Sequence, residues 1–145
     1  MKKTYLLDTN IVSEFTKKTP NGKLLALYTA RKNQCAISAV TWQELVRGLT
    51  RMPEGKRRNT IQSFMDNLEN NMEVIPYDKF SARICGEMQA GAEHGGKTLP
   101  FYDSQIAATA IANGMVLVTH NTADFEPMQE KSFLRMEDWM ETETA

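Results

Sequence analysis

Asp8, Glu44, Asp103 and Asp124 each stand beside a short apolar run or in the segment that follows one, so a folded chain can bring their carboxylates together. Hard oxygen ligands without a His/Cys cluster suit Mg²⁺ or Mn²⁺ and not zinc. His94 and His120 form neither an HxH nor an HExxH pattern, and no GxSxG nucleophile elbow occurs. A metal held by carboxylates polarises a phosphoryl oxygen and lowers the pKa of a bound water, so no protein nucleophile is needed. Each acid also has a plainer reading: Asp8 as a helix cap, Asp103 in a helix first turn, Asp124 in an Asx turn, Glu44 as a solvated helix residue. Their joint placement shifts the balance toward a metal site, because crowded like charges raise one another's pKa unless a cation offsets them.

The elements that must position these acids follow from apolar periodicity. Residues 4–7 read as a strand, and Asp8-Thr9-Asn10 offers cap side chains to a helix starting near Ile11. Asn21-Gly22 breaks that segment, Leu24, Leu25, Leu27 and Tyr28 give a second helix, and residues 35–38 a second strand. Trp42, Leu45, Val46 and Leu49 recur at helical spacing on the segment bearing Glu44, which Pro53-Glu54-Gly55 closes. Ile61, Phe64, Met65 and Leu68 mark the next helix, before a strand at 72–75 and a helix bearing Phe80, Ile84 and Met88. After a glycine-rich loop, Ile106, Ala107, Ala110 and Ile111 run to an Asn113-Gly114 stop, and residues 116–119 read as a buried strand. An apolar pair, Phe133-Leu134, precedes an expected acidic tail holding Glu137, Asp138, Glu141 and Glu143. Short strands alternating with amphipathic helices predict an α/β fold with a central, mainly parallel sheet flanked by helices. In such sheets the ligand site lies beyond the carboxyl ends of the strands, where Asp8 stands.

The bulk numbers narrow the classes further. A chain of 145 residues, 41% hydrophobic, is expected to form a single domain over 1–145 with its core at about 4–139. A net charge of -1 generates no strong field, so nucleic acid must be met by a local patch or a bound metal. The N-terminal apolar run stops at Asp8, far short of a signal-peptide core or membrane span, which makes a cytoplasmic protein the expectation. Cys35 and Cys85 read as reduced, buried thiols.

Four ordered blocks carry a resemblance. Leu6-Leu7-Asp8-Thr9-Asn10-Ile11-Val12-Ser13-Glu14, Ile37-Ser38-Ala39-Val40-Thr41-Trp42-Gln43-Glu44-Leu45, Asp103-Ser104-Gln105-Ile106-Ala107-Ala108-Thr109-Ala110 and Val118-Thr119-His120-Asn121-Thr122-Ala123-Asp124-Phe125 resemble those of VapC-family PIN-domain toxins. The resemblance implies a PIN-like parallel sheet wrapped by helices, an Mg²⁺ or Mn²⁺ cofactor, and endonucleolytic cleavage of structured RNA, tRNA favoured. It also implies growth arrest restrained by a cognate VapB-type antitoxin, and a homodimer. Asp8 and Asp103 match the principal metal ligands and Glu44 the acid between them. Asn121 and Asp124 share the fourth position, with Asp124 favoured. Thr9, Ser13 and Asn121 are candidates for supporting the ligands.

Two signals point elsewhere. Gly91-Ala92-Glu93-His94-Gly95-Gly96-Lys97-Thr98 matches the phosphate-loop pattern GxxxxGK[ST], which keeps a nucleotide-binding protein as an alternative beside a catalytically silent PIN-like module. Its context, after a helix instead of a strand, opposes the nucleotide reading. Arg47, Arg51, Lys56, Arg57 and Arg58 form the densest basic stretch. Arg47 and Arg51, together with Lys97, are candidates for RNA or antitoxin contacts, against the plainer reading of a solvated helix end.

Overall fold

Strands of three or four residues have too few ladder bonds to stand alone, so the sheet depends on being covered on both faces. The computed structural model describes residues 2–130 and 132–140. Its elements run β1 (Tyr5–Leu7), α1 (Thr9–Glu14), α2 (Gly22–Arg31), a 3₁₀ turn (Lys32–Gln34), β2 (Cys35–Ser38), α3 (Ala39–Arg51), α4 (Lys56–Asn71), β3 (Glu73–Ile75), α5 (Lys79–His94), α6 (Phe101–Ala112), β4 (Val116–Val118), α7 (Thr122–Gln129) and β5 (Arg135–Glu137). All strand pairs are parallel, in the order β3-β2-β1-β4-β5. The chain therefore winds outward from β1 to β3, then returns to the other side of β1 with β4. The switch point of the sheet falls between β1 and β4, where a crevice opens at the carboxyl ends.

Alternation along the strands divides the core into two layers. Leu6, Ala36 and Leu117 face Met88, Ile106, Ala110 and Phe125 of α5, α6 and α7. Leu7, Cys35, Ile37 and Val118 face the other way, onto Ile11, Val12, Leu24 and Leu68. Side-chain caps set the helix starts: Ser38 accepts the Thr41 N–H at 2.9 Å, Asn21 that of Leu24 at 3.1 Å and Asp78 that of Ser81 at 2.9 Å. Cys35 and Cys85 are free and buried in opposite layers, as expected, and burial pushes the Cys35 thiol up to about 12. Among the described residues no helix is long and apolar enough to cross a membrane.

The expected elements are all present, with edges moved by one or two residues. α1 begins at Thr9 instead of Ile11, because Asp8 itself caps it. Met72 closes α4 by donating to the Leu68 carbonyl at 2.8 Å, which leaves the strand to begin at Glu73. The larger correction concerns the expected acidic tail. Residues 135–137 form the edge strand β5, paired with β4 through Val116↔Arg135 and Val118↔Glu137. Glu137 accepts the Trp139 indole N–H at 2.9 Å and meets Arg31 at 3.4 Å. Trp139 is 1% exposed, edge-on to Tyr5 at 4.9 Å between centroids, with the Arg31 guanidinium 5.3 Å from both rings. Glu141 and Glu143 lie outside the described residues.

Trp139→Ala is expected to cost about 3–5 kcal/mol, as large aromatic deletions in cores do. Trp139→Phe should cost less, since it keeps a ring against Tyr5 while losing the N–H to Glu137 and part of the buried ring volume. Urea unfolding of both variants checks the order; equal stability of Trp139→Ala and wild type would mean that the Trp139 ring contributes nothing to the core.

Candidate active site

Asp8 follows β1 directly, and its backbone N–H donates to the Val118 carbonyl at 2.9 Å, extending the sheet by one bond at the switch point. The side chain is then held on both oxygens. Oδ1 accepts the Thr9 N–H at 2.8 Å and Oδ2 accepts the Thr119 hydroxyl at 2.9 Å. Only 4% of Asp8 is exposed. Burial pushes its carboxyl up to about 6 against the pull of these two donors, and the charges of Asp103 and Glu44 add to the rise.

Glu44 reaches the same place from the second turn of α3. Its Oε1 accepts the Thr9 hydroxyl at 2.8 Å. That hydroxyl lies 3.2 Å from the Thr41 hydroxyl, and Ser38 donates to Thr41 at 3.2 Å, so a row of hydroxyls from the β2–α3 junction ends on Glu44. Asp103 sits half-buried in the first turn of α6, where the helix dipole favours a carboxylate. Burial raises its pKa, and the charges of Glu44 and Asp124 raise it further.

Asp8, Glu44 and Asp103 line one cavity of about 480 Å³, together with Thr9, Ser13 and Asn121. Six of the residues picked out by sequence therefore share a wall. Asp124 is exposed in the first turn of α7 and is not part of the cavity lining, although its charge reaches Asp103. Asn121 donates its N–H to the Thr119 hydroxyl at 3.1 Å. The two claimants to the fourth position thus occupy one corner, Asn121 in the wall and Asp124 one turn behind it.

The other candidates lie elsewhere. Arg47 and Arg51 border a hollow with Trp42 and Val46 on the exposed side of α3, and Lys97 borders one with Met88, Leu99 and Met128 near α7. The phosphate-loop match is the carboxyl end of α5: the Gly95 and Lys97 N–H groups both bond back to the Ala92 carbonyl, and Gly96 takes φ 77° as a helix stop requires. A phosphate loop needs the opposite end of a helix, so the structure overturns the nucleotide-binding alternative.

Five contributors were not picked out for the site by the sequence reading. Thr119 supplies a hydroxyl to Asp8 from 111 residues away. Glu14 is buried in the cavity wall, where it binds Lys17 at 2.8 Å and accepts the Asn21 N–H at 2.9 Å, and these donors hold its carboxyl below the usual range. His120, also in the wall, pairs with Asp138 at 3.1 Å. Ser38 and Thr41 order Glu44 through Thr9. All five fell inside the quoted blocks, but isolated polar residues at strand ends and helix ends carry no periodicity to mark them.

The donor set fits a hard divalent cation. Asp8 has both oxygens steadied by donors behind it, as metal-binding carboxylates require, and Asp8 and Asp103 are both held above their ordinary range by burial and the charges of neighbouring acids. Among the described residues no group of three acidic, histidine or cysteine side chains is placed to hold a metal ion. Mg²⁺ keeps several of its waters and takes one or two carboxylates, so it needs no such group.

A parallel sheet with carboxylates gathered at its switch point is the arrangement of a PIN domain, and the PIN-domain family model matches residues 5–131. The chain is 37% identical over 128 residues to the VapC ribonuclease Y4jK of Sinorhizobium fredii, covering 83% of this chain and 89% of that one. It is 31% identical over 137 residues to the tRNA(fMet)-specific endonuclease VapC of Shigella flexneri, covering 93% and 97%. The solved structure of DNA-bound VapBC from Salmonella typhimurium superposes with a TM-score of 0.83 at 26% identity, over 94% and 98% of the two chains. The chain belongs to the PIN-domain family, in its VapC branch of toxin ribonucleases.

A folded-state pKa of about 6 for Asp8 gives a signed expectation. The unfolded chain releases this proton near pH 4 and the folded one near 6, so deprotonation favours unfolding. Metal-free protein should lose on the order of 3 kcal/mol from this group as pH rises from about 4 to 6, and none further above. Urea unfolding in chelator across that range, with Asp8→Asn as reference, isolates the contribution; parallel pH profiles for the two proteins would show that Asp8 titrates normally.

Proposed function

We propose that this chain is a divalent-metal-dependent endoribonuclease, the toxin half of a type II toxin–antitoxin pair, acting as one PIN-like domain on structured RNA in the cytoplasm. The observation that carries the reading is the convergence of Asp8, Glu44 and Asp103 on one cavity at the switch point of a VapC-type fold. These intact acids speak against a silent binding module.

Asp8 and Asp103 are assigned to hold the ion, Mg²⁺ or Mn²⁺. When bound it supplies a Lewis acid for the phosphodiester and a water of lowered pKa. Glu44, fixed by Thr9, has an oxygen left to orient that water, and Asp124 adds negative charge at the far corner. Asn121 offers an amide to ligands or substrate from the wall. Substrate is a splayed single-stranded loop of a folded RNA, because a strand-end cavity of this size takes unstacked nucleotides and not an A-form helix. The named specificity of the Shigella relative for tRNA(fMet) supports tRNA as the first class to test.

Restraint comes from a VapB-type antitoxin. A groove of about 260 Å³ between α1, α3 and α4, walled by Leu45, Leu49, Ile61, Phe64 and Met65, shares Thr9, Ser13 and Glu44 with the acidic cavity. An antitoxin C-terminal segment with an apolar side in this groove and a basic side chain toward the carboxylates excludes metal and RNA together. The toxin is assigned as a homodimer in that complex.

Asp103→Asn keeps shape and removes one charge. Loss of groups behind metal ligands already costs 10–100-fold, so loss of a ligand should reduce cleavage of total tRNA by at least about 100-fold. Without metal, the variant should be as stable as wild type or more so, by about 0.5–2 kcal/mol. Metal at about 100 times its Kd should raise wild-type stability by about 2.7 kcal/mol and the variant's far less. Thermal melts with and without Mn²⁺, beside cleavage assays, decide this: wild-type cutting by Asp103→Asn removes it from the site, and an unfolded variant makes it a structural cap. Growth arrest on expression should be relieved by co-expressing the small protein encoded beside this chain; failure of that protein to bind or to restore growth counts against the toxin assignment.

A further inference from the structure

The end of the sheet brings one more polar pair into the cavity. Register aligns Val118 of β4 with Glu137 of β5, and the Thr119 N–H continues the ladder to the Glu137 carbonyl at 3.0 Å. His120 and Asp138 therefore leave the sheet side by side. The His120 Nδ1 lies 3.1 and 3.3 Å from the two Asp138 oxygens. Asp138 is itself fixed, since its Oδ1 accepts the Met140 N–H at 2.9 Å. The His120 backbone N–H donates to the side-chain Oδ1 of Asn10 at 3.5 Å. A carboxylate can only accept, so the ring carries a proton on Nδ1, and Nε2 is the edge left for a ligand.

The chemistry of that ligand follows from the surrounding charge. The ring faces two carboxylates, Asp138 in contact and Glu14 close enough for its charge to be felt, and the neighbouring cation, Lys17, is tied to Glu14 at 2.8 Å. The patch has no surplus positive charge with which to attract a phosphate. A neutral hydroxyl suits it better, and the ribose 2′-hydroxyl both donates and accepts, so it can pair with Nε2 in either protonation state.

We propose that His120 is a specificity-determining residue of the acidic cavity, its Nε2 edge hydrogen-bonding a ribose 2′-hydroxyl of the bound strand, with Asp138 as its positioning residue. The contact lets the site tell RNA from DNA. It rests on the nuclease reading and refines it.

The test uses a short labelled single-stranded RNA and its all-2′-deoxy counterpart, bound to Asp103→Asn protein so that neither is cut. Adding His120→Ala should weaken RNA binding about tenfold, the size of one good hydrogen bond, and leave the deoxy probe unchanged. His120→Phe, which keeps a ring for stacking, should show the same selective loss. Asp138→Asn should shift the RNA/DNA ratio in the same direction and add nothing in the His120→Ala background, which a purely structural role would not produce. Thermal melts should be unmoved by the His120 variants, His120 being exposed. Equal weakening of both probes, an unchanged ratio, or a wild-type ratio near one overturns the proposal. Cleavage of total tRNA with Mn²⁺ is scored separately: a wild type that cuts while the variants keep its RNA/DNA ratio sinks this inference alone, and one that discriminates without cutting sinks the nuclease reading alone.

Discussion

A carboxylate that is 4% exposed at the end of the central strand governs the rest of this molecule. Asp8 caps α1, extends the β1–β4 ladder and anchors the cavity, three roles that fix one another's geometry. Its burial is costly for a charged group, and the two donors from Thr9 and Thr119 offset only part of that cost, which is why its pKa remains high. Glu44 and Asp103 are then packed within electrostatic reach of a group that already resists ionisation. Nothing in core packing calls for such an arrangement, and crowded carboxylates of this kind are the chemistry that a divalent cation would offset.

The surrounding fold is built to tolerate this stress. Both layers of core are apolar and well covered, and four of the helices start on side-chain caps, so the local electrostatic penalty sits on a firmly packed scaffold. Rigid strand ends also hold the site better than loops would. Thr9, Thr41 and Ser38 illustrate the point: they come from the end of β2 and the first turns of α1 and α3, and their hydroxyls link up to Glu44 through Thr9.

Much of this was legible in the residues themselves. Apolar runs such as Leu6-Leu7 and Ala36-Ile37, with Asp8 and Glu44 at fixed distances behind them, disclose both the sheet and two of its acids, because burial leaves a periodic mark. β5 left no such mark. Its three residues, Arg135-Met136-Glu137, include two charged groups and one partly buried apolar residue, which reads as tail; only the pairing with β4 and the burial of Trp139 make it a strand. The hydroxyl of Thr119 and the His120–Asp138 contact were hidden for a related reason: each depends on register between strands distant in sequence, and register is a property of pairing, not of local composition. The fourth corner shows the same limit, since Asn121 and Asp124 are one helical turn apart and sequence alone cannot say which faces the cavity.

The bond between Thr119 and Asp8 joins residues 111 positions apart, and that span has a meaning in time. During synthesis the chain emerges with Asp8 near its beginning, while β4 and β5, which seat Asp8 and complete the cavity wall, emerge more than a hundred residues later. At ordinary rates of translation the interval lasts many seconds. For that interval the protein has acids but no site. The cavity is thus complete only once the last strands have joined the sheet.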